Sequence, residues 1–294
     1  MIRIGINPLT WTNDDLPSLG SETPLETCLR EAREAGYVGV ELGNKFPRTA
    51  EKLRPILRAH DLDLVSGWYS GRLLERDVDA EWDAMSAHFK LLHELKCEVM
   101  VFAEVSRCNH GDQRAPLSQR PRLPQGEWPR FTERLTLLAE RMKSAGLRLA
   151  YHHHMGTVVQ SPQDIDQMMS STGDAVGLLF DTGHLMYAGG DPAQAAAEHA
   201  SRIVHVHCKD VRKSVLEHAR NEDSSFLNAV LEGVFTVPGD GMVDYRRVLE
   251  PIAKEGYSGW LVVEAEQDPA IATPHVYAKM GFDHLAPLAN QLFA

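Results

Sequence analysis

Ile203-Val204-His205-Val206-His207-Cys208-Lys209-Asp210 begins apolar and ends charged. Its β-branched residues favour an extended chain. The two-residue period of a strand then puts His205, His207 and Lys209 on one face and Val206 on the other. A strand with apolar residues toward one side and imidazoles toward the other borders both a packed layer and a polar interior.

The neighbouring runs have the same design. Upstream, Ala175 to Asp181 leads into Thr182-Gly183-His184, and Leu147 to His153 leads into His154. On that earlier strand His152 and His154 share a face and His153 takes the other. Downstream, Ser258 to Ala265 carries Glu264 and Glu266 on one face, with Ala265 opposite. Each run keeps its polar residues at the carboxyl end.

Four more strand-like runs precede these, at Ile2–Ile6, Tyr37–Leu42, Leu62–Trp68 and Cys97–Ala103. Amphipathic stretches separate them. Pro24–Ala35 ends at Gly36, and Asp79–Leu95 places Trp82, Met85, Phe89 and Leu92 at helical spacing. Further helices are expected at Thr49–His60, Trp128–Ala145, Pro162–Ser170 and Asp244–Glu255. Another opens at Asp191-Pro192, with aspartate as cap and proline in the first turn. Eight strands alternating with helices predict a single α/β domain over residues 1–294, a closed (β/α)8 TIM barrel. Extra helical pieces follow the seventh strand, near Lys213–Ala219 and Ser225–Gly233. A Rossmann fold would need GxGxxG after the first strand, where Gly5-Ile6-Asn7-Pro8 stands instead. Ser106–Glu127, proline- and arginine-rich and without periodicity, is a long loop after the fourth strand. It is either a lid over the site or an insertion used in oligomer contacts.

Composition narrows the function classes. The 294 residues are 43% hydrophobic and 24% charged, as expected of a folded globular chain. A net charge of −11 opposes binding to nucleic acid or an anionic membrane. No apolar run is long enough to span a bilayer, and the start lacks the features of a signal peptide. Cys28, Cys97, Cys108 and Cys208 show no CxxC spacing and read as free thiols of a cytoplasmic protein.

A barrel of this kind carries its chemistry at the carboxyl ends of its strands. His152, Asp181, His207 and Glu264 can therefore point at one centre from four successive strands. Four inward polar residues at one end need a partner. This mixed N/O set suits Mn, Co, Fe or Zn rather than Ca. His205, one step deeper, reads as a hydrogen-bonded interior residue. Asp181 could also cap a helix.

In combination, Phe180-Asp181-Thr182-Gly183-His184, the His205 to Asp210 run, Val237-Pro238-Gly239-Asp240-Gly241 and Val262-Val263-Glu264 resemble the sugar-phosphate isomerase/epimerase superfamily, the xylose-isomerase-like barrels. Gly5 to Asp15 and Tyr151-His152-His153-His154-Met155-Gly156-Thr157 bring the resemblance closer to the inosose dehydratases, with support from Glu41 to Pro47. That resemblance implies a metal-dependent hydro-lyase of inositol catabolism acting on 2-keto-myo-inositol, a cyclic polyol ketone, by α-proton abstraction and loss of water. It implies Mn2+ or Co2+ as metal, a link to glutathione, and pairing of barrels into a homo-oligomer. The superfamily's strand-five ligand is usually a glutamate. Here that position is His152, and Glu104 at the end of strand four could complete the carboxylate set instead. Losing a carboxylate on one substrate face disfavours two-face epimerisation and favours one-way elimination.

Proton transfer needs a base and an acid. Lys209 is a candidate acid or electrostatic clamp whose pKa should fall near a divalent ion; the other reading is a salt bridge to Asp210 or Glu266. His154 and Glu266 are candidate bases. His184 orients a ligand or the substrate, or is structural. Asn7, Glu41 and Trp68 end strands one, two and three, where they could bind hydroxyls or wall the pocket. The competing readings are a ketose 3-epimerase or sugar isomerase, an AP-endonuclease-type enzyme, and a barrel that only binds a polyol. Asp240-Gly241-Met242 lacks the histidine that a DNA-repair site would need.

Overall fold

The computed structural model describes residues 2–293; Met1 and Ala294, the two ends of the expected domain, lie outside the described residues. Eight parallel strands close into a barrel. In chain order they are β1 (Arg3–Ile6), β2 (Gly39–Leu42), β3 (Asp63–Gly71), β4 (Val99–Glu104), β5 (Arg148–His152), β6 (Val176–Asp181), β7 (Ile203–Cys208) and, after a small two-stranded pair, β10 (Trp260–Val263). β10 closes the ring between β7 and β1.

Helices return the chain between strands: α1 (Leu25–Ala35), α2 (Ala50–Ala59), α3 (Val78–Glu94), α4 (Trp128–Ser144), α5 (Pro162–Ser171), α7 (Pro192–His199), α10 (Tyr245–Lys254) and the closing α11 (Pro274–Leu292). Their ends are set by local chemistry. Gly36, at φ 115°, terminates α1 in the left-handed region that glycine enters without strain. Ser161 and Asp164 form a reciprocal capping box on α5. No helix is long and apolar enough to cross a membrane among the described residues.

Two apolar layers hold the barrel. Outward strand residues such as Tyr151, Phe180 and Val206 pack with helix residues such as Phe131 and Leu135 into the main core. Inside the barrel, Val99, Val101, Ala150, Leu179 and Val204 form a plug beneath the carboxyl-end residues. Each valine and the leucine contributes about 2 kcal/mol by burial. The plug fixes the floor on which the polar residues stand.

Three local features depart from the sequence reading. A short helix α6 (Thr182–Tyr187) follows β6 directly, with Asp181 as its cap. The two-residue strands β8 (Asp210–Val211) and β9 (Phe235–Thr236) pair antiparallel and frame α8 (Lys213–Asn221) and α9 (Phe226–Leu231). The long loop after β4 lies against these added helices. Ser118 donates to Asp223 from both its amide (2.8 Å) and its hydroxyl (2.6 Å), and the Leu117 amide donates to the Ser224 carbonyl.

Candidate metal centre and active site

Parallel register sets Asp181 beside His207 and His207 beside Val262, so residues at neighbouring strand ends share one level. His152, Asp181, His207 and Glu264 are all buried there. The Nε2 atom of His152 lies 3.7 Å from Asp181 Oδ2. His207 Nδ1 lies 3.5 Å from the same oxygen and 2.8 Å from Glu264 Oε2. Asp181 does cap α6, through Oδ1, which accepts the His184 amide at 2.7 Å. Among the described residues its buried Oδ2 has no hydrogen-bond partner, and neither has His207 Nδ1 despite the short approach to Glu264.

Two buried polar atoms that close, neither aimed at the other, converge on a third point. Adjacent ligands of an octahedral ion with bonds of about 2.1 Å stand about 3 Å apart. The observed separations match that spacing, and two imidazoles with two carboxylates suit a divalent transition ion. The residues present therefore fit a metal.

Hydrogen bonds select the nitrogens. His152 Nδ1 donates to the His153 carbonyl at 2.6 Å, which leaves the Nε2 lone pair facing Asp181. His207 Nε2 donates to Glu41 Oε1 at 3.2 Å, which leaves Nδ1 facing the centre. Burial alone would raise the Glu41 carboxyl pKa, but the His207 and His205 imidazoles hold it well below the ordinary range. Burial opposes a charge on His207, yet Glu264 and Glu41 hold its pKa well above the usual value. Glu264 is buried too, but His207 and Lys209 bring it down to about 2. Burial, reinforced by neighbouring cationic groups, pushes His152, His154 and His184 well below, so they stand as neutral imidazoles.

Glu41 and Asn7 line the cavity, with their polar atoms already hydrogen-bonded. Glu41 Oε1 accepts Ser66 Oγ (2.5 Å), His205 (2.8 Å) and His207, and Oε2 accepts Asn7 Nδ2 at 2.6 Å. Asn7 Nδ2 also reaches Glu264 Oε2 at 3.0 Å. Both residues thus contact candidate ligands, Glu41 through His207 and Asn7 through Glu264. Glu104 stands apart as well: its oxygens accept the Leu74 and Ser106 amides, at 3.2 and 2.8 Å, and it forms part of no ligand cluster among the described residues. Trp68 walls the cavity with its indole edge-on to His152 and His154.

With no ion beside it, Lys209 is held among the Asp181, Glu264 and Glu266 carboxylates. Burial opposes its charge, but Glu264, Glu266 and Asp181 raise its pKa above the ordinary value. Its Nζ lies 2.6 Å from Glu264 Oε1 and 2.5 Å from Glu266 Oε1. Asp210 is not its partner; that carboxylate accepts the Val211, Gly239 and Val243 amides and fixes the loop after β9. Glu266 Oε2 has no hydrogen-bond partner among the described residues. Burial, opposed by Lys209 and helped by Glu264, pushes its pKa up to about 7. His154 donates from Nδ1 to the Met155 carbonyl at 2.7 Å, and its ring centroid lies 3.9 Å from that of His184. His184 also offers a ligand atom within 4.8 Å of those of His152, Asp181 and Glu264, whereas His207 groups in the same way with Glu41 and His205.

Above this floor lies an open cavity, to which Glu266, His154 and Trp68 contribute. Asp14, Asp15 and His110 also line it, and none of them stood out chemically in the sequence. The two aspartates lie inside a run that served the resemblance alone. His110 sits in the loop after β4, where no periodicity marks a functional position. Burial opposes its protonation, but Cys108 and Asp15 raise its pKa.

Comparison with known proteins agrees with this architecture. The chain is 56% identical over 288 residues to the rhizopine catabolism protein MocC of Rhizobium meliloti, covering 98% of this chain and 89% of that one. It is 43% identical over 279 residues to an inosose dehydratase of Geobacillus thermodenitrificans, covering 94% of each. Among solved structures, the IOLI protein, determined with a bound zinc atom, superposes with a TM-score of 0.71 at 14% identity, over 99% of both chains. A barrel protein of Mycobacterium smegmatis in complex with magnesium gives 0.70 at 17% identity, over 99% of this chain and 98% of that one. Residues 29–288 match the family described as xylose isomerase-like TIM barrel, and the chain belongs to it.

Proposed function

We propose that this chain is a metal-dependent hydro-lyase that converts 2-keto-myo-inositol to trihydroxycyclohexane-1,2-dione. The convergence of unpartnered ligand atoms on Asp181 and His207, in a chain with inosose dehydratase relatives, carries the reading. His152, Asp181, His207 and Glu264 would hold the ion, with Mn2+ or Co2+ as the metal. When bound, a divalent cation supplies Lewis acidity to the ketone oxygen.

The chain's own residues do the rest. Glu266, with a free Oε2 on the cavity wall, takes the α-proton. Lys209 clamps the other oxygen of Glu266 and does not act as the acid. His110, on the cover side of the cavity, donates to the departing hydroxyl, so the carbon–oxygen bond breaks with release of water. Trp68 and Leu9 wall off solvent. The enol left behind tautomerises to the dione. With His152 where an epimerase needs a second carboxylate, the reverse protonation on the opposite face has no partner.

The metal-stripped protein should regain dione formation on addition of Mn2+ or Co2+. Asp181→Asn and Glu264→Gln should bind neither ion in calorimetry and form no dione. Glu266→Gln should keep the metal and lose about 10²- to 10⁴-fold in kcat. Activity that survives complete metal removal would sink the proposal.

A further inference from the structure

Lys209 has an unusual environment for a lysine. Its ammonium is fully buried among two carboxylates and an imidazole: Glu264 Oε1 at 2.6 Å, Glu266 Oε1 at 2.5 Å and His184 Nε2 at 3.0 Å. An ammonium has only protons to offer, so His184 faces it with a lone pair. The Met155 amide approaches the other nitrogen at 3.4 Å, and the shorter contact sets the tautomer. An imidazole lone pair aimed at a cation is a ligand's geometry. His154, His184 and Glu266 each offer a ligand atom within 4.8 Å of one another. His154 keeps its Nε2 free because Nδ1 is bonded to the Met155 carbonyl.

The geometry points to a second metal-ligand set beside the first, formed by His154, His184 and Glu266, whose place the Lys209 ammonium takes as a built-in cation. The inference rests on the metal centre proposed above. Glu264 joins the two halves. Its Oε2 faces His207 at 2.8 Å while its Oε1 faces Lys209 at 2.6 Å, the division a bridging carboxylate makes between paired ions. Paired ions in two-metal enzymes stand about 3.5–4 Å apart. The chain is cut to admit the lysine: a Cβ on Gly183 would lie 2.5 Å from Lys209 Cγ. The Phe235 ring, 4.6 Å from Nζ, covers the ammonium from the apolar side. One fixed charge thus neutralises Glu266 and keeps the centre to one exchangeable ion.

The test is metal stoichiometry, which does not depend on turnover. Metal-free wild type and Lys209→Ala are titrated with Co2+ by calorimetry, and Mn2+ electron paramagnetic resonance reads coupling between ions. Wild type should take up one equivalent, and Lys209→Arg should as well. Lys209→Ala should take up two, with a Mn2+ signal broadened by coupling, and Lys209→Ala/His154→Ala should return to one. Lys209→Ser serves if the alanine variant does not fold. One equivalent in the small variants, or two in wild type, overturns the inference and leaves the first centre standing. No uptake in wild type overturns the first centre and the inference with it.

Discussion

Glu41 stands between His205 and His207, and its carboxylate decides which nitrogen of His207 faces the metal position. A carboxylate behind a metal-binding imidazole fixes the tautomer and raises ligand basicity, and losing it costs about 10- to 100-fold in affinity. Glu41→Gln should therefore weaken Mn2+ binding by that factor in calorimetry; unchanged affinity would remove Glu41 from the centre. The strand-end position of Glu41 and Asn7 was readable from the sequence, and their partners were not. Closing β1 and β2 onto β10 and β3, with β7 across the barrel, brings Asn7, Ser66, His205 and Glu41 together. Pairings between strands 25 to 164 residues apart leave no local pattern. Asp181, His207 and Glu264 were legible for the opposite reason: period two within a strand and the polar end of a barrel are both local rules.

At the scale of elements, the loop after β4 and the α8–α9 insertion act as one cover. Asp223 adopts a left-handed φ of 48° and receives both donors of Ser118. The same cover brings His110 to the cavity and sets the Phe226 ring 5.2 Å from that of His154. Asp223→Ala removes the anchor and strains a backbone that aspartate tolerates better than alanine. Amide hydrogen exchange over residues 107–119 should rise and KM should increase, while Co2+ affinity stays constant. No change in exchange would mean that the loop is held elsewhere, for example through the Arg120–Asp164 ion pair at 2.8 Å. The sequence showed that a long loop and extra helices exist, and not that they meet. It also concealed α6, only six residues long with glycine at its second position, and the two-residue strands β8 and β9, too short for any periodicity.

Across the whole molecule, buried neutral histidines make stability sensitive to acid. His88 shows the effect away from the metal centre: burial lowers its pKa, and its Nε2 lies 3.3 Å from the Gly67 carbonyl. As pH falls through about 6.5 the unfolded chain takes up the proton first, so the contribution of His88 is complete above that value and lost below it. His88→Leu should cost about 1 kcal/mol near pH 8, from the lost hydrogen bond, and should flatten the fall in unfolding free energy between pH 7 and pH 5. An equally steep fall in the variant would assign the acid limb to other groups, among them His153, which burial holds at about 4. In the proposed function, a centre with imidazole at strand five drives elimination in place of two-face proton exchange. The most direct measurement incubates the Mn2+-loaded protein with 2-keto-myo-inositol in deuterated water and follows dione absorbance alongside deuterium in the remaining ketone. Dione should accumulate with little deuterium in unreacted ketone. Deuterium entering the ketone while no dione appears would contradict the account and reassign the chain to isomerase chemistry.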